Sequence, residues 1–181
     1  MNKQNLDNIS DTIKKRRNEV AIRTGYISLL QRILLLAIVG YLIFTQVFLV
    51  TRASGIEMFP AIKDGDLIIG FRLQQEYEKN DVITYKVNGE RKVGRFIAQE
   101  SDVVILDDTG TLLVNGAVQA GEIMYPTYEK EGIEYPYQVP ENHVFILGDY
   151  RTQTTDSRDF GSIPMDEVEG KVITILRRRG L

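Results

Sequence analysis

Residues 82–98 read VITYKVNGERKVGRFIA, two apolar-rich runs either side of Asn88-Gly89. Asparagine and glycine both accept positive φ, so a two-residue type I′ turn is predicted to join the runs as a β-hairpin. The turn sets the register. Val87 faces Glu90, Tyr85 faces Lys92 and Ile83 faces Gly94, which places Ile83, Tyr85, Lys92 and Gly94 on one face.

Outward from this hairpin the same grammar continues. Short apolar runs at 67–71, 103–106, 112–114, 144–147 and 172–176 alternate with Asp64-Gly65, Thr109-Gly110 and Asn115-Gly116. Such spacing predicts a mainly β, antiparallel domain over residues 52–181 with few or no helices. Residues 125–140 (YPTYEKEGIEYPYQVP) hold four tyrosines and three prolines. They read as an extended loop whose amphipathic rings pack against the sheet or lie near the membrane interface. The closing run Arg177–Arg179 reads as a solvated end.

Upstream the pattern changes. Ile33–Thr51 (ILLLAIVGYLIFTQVFLVT) holds no charge over nineteen residues. A helix rising about 1.5 Å per residue would carry this run across most of a 30 Å hydrocarbon core. Residues 1–32 form a basic tail with Lys14, Lys15, Arg16, Arg17, Arg23 and Arg32. Residues 1–50 carry +4 and the remainder −7. The positive-inside rule puts the tail in the cytoplasm and the β domain outside the cell membrane, anchored by a single pass. The apolar run is longer than the core of a cleaved signal peptide, and Thr51-Arg52-Ala53 is a poor small-x-small site.

A hydrophobic fraction of 43% in 181 residues is enough for a packed core. There is no cysteine, which excludes disulfides, thiolate catalysis and cysteine-ligated metals. No metal or cofactor is expected. The basic excess lies where an anchor needs it, so nucleic acid is not an expected partner, whereas membrane lipid is.

The most informative stretch is GDYRTQTTDSRDFG, residues 148–161. It resembles the GDNRxxSxDSRxFG box of type I signal peptidases, membrane-anchored Ser/Lys proteases that remove signal peptides. Tyr150 and Thr154 are its meaningful departures. Gly55-Ile56-Glu57-Met58-Phe59-Pro60 aligns with the G-x-S-M-x-P box, Asn80–Ile83 with GDVV, and Val93–Ile97 with V-K-R-V-I. The resemblance covers about residues 33–175. It implies the family's β fold, with a structural box of Gly148, Asp149, Thr154, Asp156, Ser157 and Arg158, in which Asp156 pairs with Arg158. It also implies a groove for extended peptide, with Gly55, Ile56, Met58, Phe59, Ile83, Tyr85 and Lys92 as its candidate residues.

The departures bear on activity. Glu57 stands where the family has its nucleophilic serine, and Gly94 where it has the lysine base. A Ser–Lys pair works through a lysine whose lowered pKa lets it take the hydroxyl proton. Neither partner is here, so the expectation is of a protein that is not an enzyme. Ser54 and Ser157 do not stand where they could replace the serine, His143 has no evident partner and reads as a surface or core residue, and a Glu57–Asp156 carboxylate pair is disfavoured by the Asp156–Arg158 strut. Lys92 shares the face of Gly94 and is predicted to lean towards Glu57 as an ion pair. The degenerate boxes resemble the signal-peptidase-like accessory proteins of Gram-positive pilus assembly. That resemblance implies a membrane-anchored chaperone or scaffold that holds a pilin or preprotein segment, with the polymerising sortase as a further partner. The alternatives are a signal peptidase with unusual catalytic residues and an inactive regulator competing for preproteins.

Overall fold

The computed structural model describes residues 3–74, 76–119 and 125–177. Helix α1 runs Lys3–Val47, and the chain divides into two compact units between Thr45 and Gln46. The second unit is mainly β, as the hairpin grammar predicts. Its strands are β1 (Phe48–Arg52), β2 (Leu67–Phe71), β3 (Val82–Val87), β4 (Glu90–Gln99), β5 (Val103–Leu106), β6 (Leu112–Val114), β7 (Ala117–Val118), β8 (Tyr137–Gln138), β9 (His143–Leu147), β10 (Ile163–Pro164) and β11 (Val168–Leu176). A short helix, α2 (Ser157–Phe160), follows β9.

Every strand pair is antiparallel, in one seven-stranded sheet ordered β1-β2-β11-β3-β4-β9-β10 and one four-stranded sheet ordered β7-β6-β5-β8. The β3–β4 hairpin has the predicted register, with Ile83 opposite Gly94, Tyr85 opposite Lys92 and Val87 opposite Glu90. Asn88 and Gly89 turn at φ 52° and 80°.

Strand β9 explains how the sheets pack. Its run Val144–Leu147 is buried on both faces, which is why it is apolar throughout instead of alternating. Phe145 and Leu147 enter a cluster with Val104, Leu106, Leu112 and Val114 of the smaller sheet. Val144 and Ile146 point the other way, into a cluster with Ile83, Tyr85 and Phe96. A β-bulge between Phe96 and Ala98 on β4 lets Phe96 join the second cluster while Ile97 and Ala98 join the first.

The outer boundary of the anchor differs from the sequence reading. Phe48–Thr51, expected inside the anchor of 33–51, belong to β1 and pair with Phe71–Ile68. Their apolar character serves the sheet, where Leu49 is buried, and an unbroken apolar run gives no period by which to see that switch. Arg177 is tethered, donating from Nη2 to the Ala61 carbonyl at 2.9 Å and facing Asp66. Arg178 and Arg179 lie outside the described residues.

Candidate active site

Glu57 is presented by the turn that follows β1. Gly55, at φ 88°, donates its N–H to Asp64 Oδ1 at 2.9 Å, and Phe59 N–H closes on the Ile56 carbonyl at 2.9 Å. Met58 anchors the turn from below, in a cluster with Ala53, Ile62 and Ile68. The Glu57 carbonyl accepts the Tyr150 N–H at 2.9 Å, so the 55–60 turn is stitched to the 148–161 segment through backbone.

The Lys92 ammonium arrives from β4. Its Nζ donates to Glu57 Oε1 at 2.8 Å, and both side chains are largely but not fully covered. Gly94 contributes nothing chemical, and the reason is spatial. A Cβ there would lie 2.4 Å from Ile146 Cγ2 and 3.1 Å from Tyr85 Cε1. The room above residue 94 is filled by core. The period of two along a strand makes Lys92 the nearest same-face position able to send an amine to Glu57.

Of the other groove candidates, Met58, Ile83 and Tyr85 are buried: Met58 under the 55–60 turn, and Ile83 and Tyr85 in the core cluster with Phe96, Val144 and Ile146, where they are out of a peptide's reach. Burial pushes the Tyr85 phenol well above its ordinary range, and the charges of Glu57 and Asp156 push it the same way. Gly55, Ile56, Phe59 and Lys92 remain at the surface or partly exposed. A shallow depression beside Glu57 is lined by Ala53, Ser54, Gly55, Met58, Ile62 and Val93. Phe59 also heads a short aromatic row, with its ring 5.9 Å from Tyr150 and Tyr150 4.7 Å from Tyr125.

The 148–161 segment is a polar scaffold under this site. Asp156 caps α2 and grips Arg158 through Nε at 3.0 Å and Nη2 at 2.9 Å. Ser157 Oγ accepts the Ile146 N–H at 2.9 Å. Gly148 is required by space: a Cβ would lie 2.2 Å from Thr154 Oγ1 and 2.7 Å from the Glu57 carbonyl. Two residues of the quoted boxes carry more than the sequence suggested. Arg95 binds Asp149 in bidentate fashion, at 2.8 and 2.7 Å. Arg151 is only 2% exposed; its Nη1 donates to Thr127 Oγ1 at 2.7 Å, while its Nε and Nη2 have no partner among the described residues. Desolvation holds that guanidinium down at about 10. A sequence signal existed, three arginines and two aspartates in recognisable boxes, but it does not say which cation is left over. His143 is remote in role, its Nδ1 bonded to the Glu141 carbonyl at 2.8 Å. Among the described residues no group of three or more His, Asp or Glu is placed to hold a metal.

This arrangement offers a carboxylate, an ammonium and an exposed apolar rim at one spot. A carboxylate can take a proton from water, and an ammonium can donate to a developing oxyanion.

Comparison with known proteins places the chain. A family model described as signal peptidase, peptidase S26, matches residues 26–176. Signal peptidase IB of Staphylococcus aureus is 32% identical over 167 residues, 81% of this chain and 84% of that protein. The probable thylakoidal processing peptidase 2 of Arabidopsis thaliana is 31% identical over 131 residues, 64% of this chain. The chain spans 34% and 38% of the lengths of the two Arabidopsis thylakoidal peptidases that it matches. The crystal structure of a signal peptidase I from Enterococcus faecalis V583 superposes with a TM-score of 0.47 at 29% identity, over 55% of this chain and 98% of that one. These relatives are named as peptidases, and that overturns the expectation that the chain is not an enzyme. The expectation equated the loss of two side-chain identities with the loss of hydrolysis. The turn at Glu57 holds an ionic pair, Glu57 with Lys92.

Proposed function

The chain belongs to the signal peptidase family, peptidase S26, and from that membership we propose that it acts on exported preproteins as a signal-peptidase-type endopeptidase with Glu57 and Lys92 as its reacting pair. The observation that carries this is the 2.8 Å contact between Lys92 Nζ and Glu57 Oε1 in a turn stitched to the 148–161 segment. An extended peptide would add to the outer edge of β1, which has a strand partner on one side only, β2. Glu57 takes a proton from a water molecule whose oxygen attacks the scissile carbonyl carbon. Lys92 donates to the oxygen that gains charge. The proton held by Glu57 then passes to the leaving nitrogen as the C–N bond breaks.

The helix α1 supplies an anchor. Within Lys14–Val47 it is long and apolar enough to cross a membrane. With the basic tail in the cytoplasm, the β unit lies outside, where exported chains emerge.

A second reading is a chaperone or scaffold for pilin at the membrane, with the polymerising sortase as partner. On its side stands the Ile146 methyl in the space over Gly94, where a lysine base has no room. One experiment separates the two. The full-length protein in detergent micelles is incubated with a preprotein or pre-pilin that retains its signal peptide, and products are read by mass spectrometry. The expected result is one cut at the signal-peptide boundary, slowed about 100-fold or more by Glu57→Gln and by Lys92→Met. A stable complex without product refutes the peptidase reading and leaves the holding role.

A further inference from the structure

We propose that α1 crosses the membrane with residues 28–47, four or five residues towards the N-terminus of the uncharged run, and that the Arg32 guanidinium reaches back from within the hydrocarbon edge to an inner-leaflet headgroup phosphate. The inference rests on the anchor reading above.

All five residues of β1 pair with β2, and among the described residues no strand lies along the other edge of β1. Backbone N–H and C=O groups on an open strand edge need water or headgroups, because hydrocarbon offers them no partner. The membrane-spanning segment therefore ends at Val47, where α1 ends. From Ile33 to Val47 the helix rises only about 22 Å, well short of the roughly 30 Å that a bilayer core requires. The missing length has to come from upstream, and about twenty residues counted back from Val47 reach Ser28.

The upstream residues fit such a position. The helix is continuous there, and Ile27, Leu29 and Leu30 lie on its surface at 49%, 53% and 64% exposure. In water these side chains would be an unexplained apolar sleeve, whereas in lipid they are ordinary. Tyr26 then falls at the inner boundary, the level at which tyrosine rings collect, and Arg23 lies one turn below it. At the other end Thr45 is no obstacle, since its hydroxyl donates to the Leu42 carbonyl at 2.9 Å.

Arg32 is the one charge this placement takes into the span. Positions one turn away, 28, 29, 35 and 36, hold Ser, Leu, Leu and Leu, so the helix itself supplies no carboxylate to meet it. Four residues separate Arg32 from Ser28, about 6 Å of helix rise, which an arginine stem can span by pointing its head back to the interface. The group waiting there is a phosphate, which the planar guanidinium fork grips in bidentate fashion. Arg32 thus becomes a depth stop for the anchor.

The chain contains no cysteine, so single-cysteine variants of the full-length protein in its own membrane report one position each. Ser28→Cys, Leu30→Cys, Thr24→Cys and Val50→Cys are treated with a membrane-impermeant maleimide, on intact protoplasts and on opened membranes. Positions 28 and 30 should stay unlabelled in both until detergent is added. Position 50 should label on intact protoplasts, and position 24 only after opening. Labelling at 28 and 30 on opened membranes, with position 50 shielded, would overturn the placement and restore 33–51. Loss of the protein to an alkaline carbonate wash would instead end the anchor reading itself. For the phosphate contact, Arg32→Leu should let the helix sink and slow labelling at position 24 about tenfold, while Arg32→Lys leaves it within about twofold. An unchanged rate in Arg32→Leu would remove the depth stop.

Discussion

A methyl group placed at position 94 tests how this site came to differ from a Ser/Lys arrangement. The Cβ of Gly94→Ala would sit 2.4 Å from Ile146 Cγ2, more than 1 Å inside the ordinary carbon contact of about 3.5–4.0 Å. That Cγ2 branches from the Ile146 Cβ, so it moves only if χ1 rotates or β9 shifts. Ile146 is fully buried among Ile83, Tyr85, Phe96, Val144 and Ile163, which leaves neither route free. Overpacking of this kind costs about 1–3 kcal/mol. Replacing glycine by alanine also returns about 0.4–1 kcal/mol by restricting the unfolded chain. The clash is the larger effect, and a net loss of about 1–2 kcal/mol is expected. The assay is urea unfolding of the full-length protein in micelles, reading the midpoint at constant m. Ile146→Ala alone should cost about 2–5 kcal/mol. In that background Gly94→Ala should become neutral or favourable, a coupling of at least about 1 kcal/mol. A Gly94→Ala loss below about 0.5 kcal/mol in the native background would refute the reasoning, because the space over residue 94 would then be open.

Arg158→Met strands the buried Asp156 carboxylate and should cost about 3–5 kcal/mol, whereas Arg151→Met removes a buried cation with two orphaned donors and should be neutral or stabilising; thermal melts of the two variants compare them directly. Glu169 accepts from Arg91 Nη2 at 2.9 Å and lies 3.3 Å from Lys86 Nζ, and the Arg91 hydrogen bond holds its carboxyl below the usual range. A depressed carboxyl contributes stability above its unfolded value and loses it as pH falls through the folded one, so Glu169→Gln should flatten the acid limb of a urea-midpoint profile below about pH 4.5. Gly89, at φ 80°, turns the hairpin, and Gly89→Ala should cost about 1–2 kcal/mol in the same urea assay.

The parts of the fold legible in the sequence are those governed by near neighbours. Asn88-Gly89 specifies a turn whose geometry permits one register, and the register observed is that one. The runs at 67–71, 103–106 and 112–114 are strands with those bounds, because turn residues flank each of them. Strand β1 was hidden, since Phe48–Arg52 continues an apolar helix without any breaker. The two-residue strands β7, β8 and β10 were hidden as well, for they are strands only by virtue of what lies beside them. At the site, the hairpin register together with the resemblance that aligns Glu57 and Gly94 with the family's reacting positions pointed Lys92 towards Glu57, and the pair is found at 2.8 Å.

By itself, then, the sequence determined a mainly β domain behind one long apolar helix, and an ionic pair in place of a hydroxyl and an amine. The first follows from turn chemistry and strand period, which act over a few residues; the second needed, beside the hairpin register, the resemblance of residues 55–60 and 93–97 to the family's boxes. Tertiary structure decided the rest. It filled the space over Gly94 with an isoleucine from β9, fifty-two positions away in the chain. It drew Phe48–Arg52 out of the helix by offering β2 as a hydrogen-bonding partner. It also left Arg151 buried with donors unmatched while Arg95 and Arg158 took the two aspartates. Each of these depends on which surfaces meet after folding, and packing against a distant strand has no local signature for a sequence to carry.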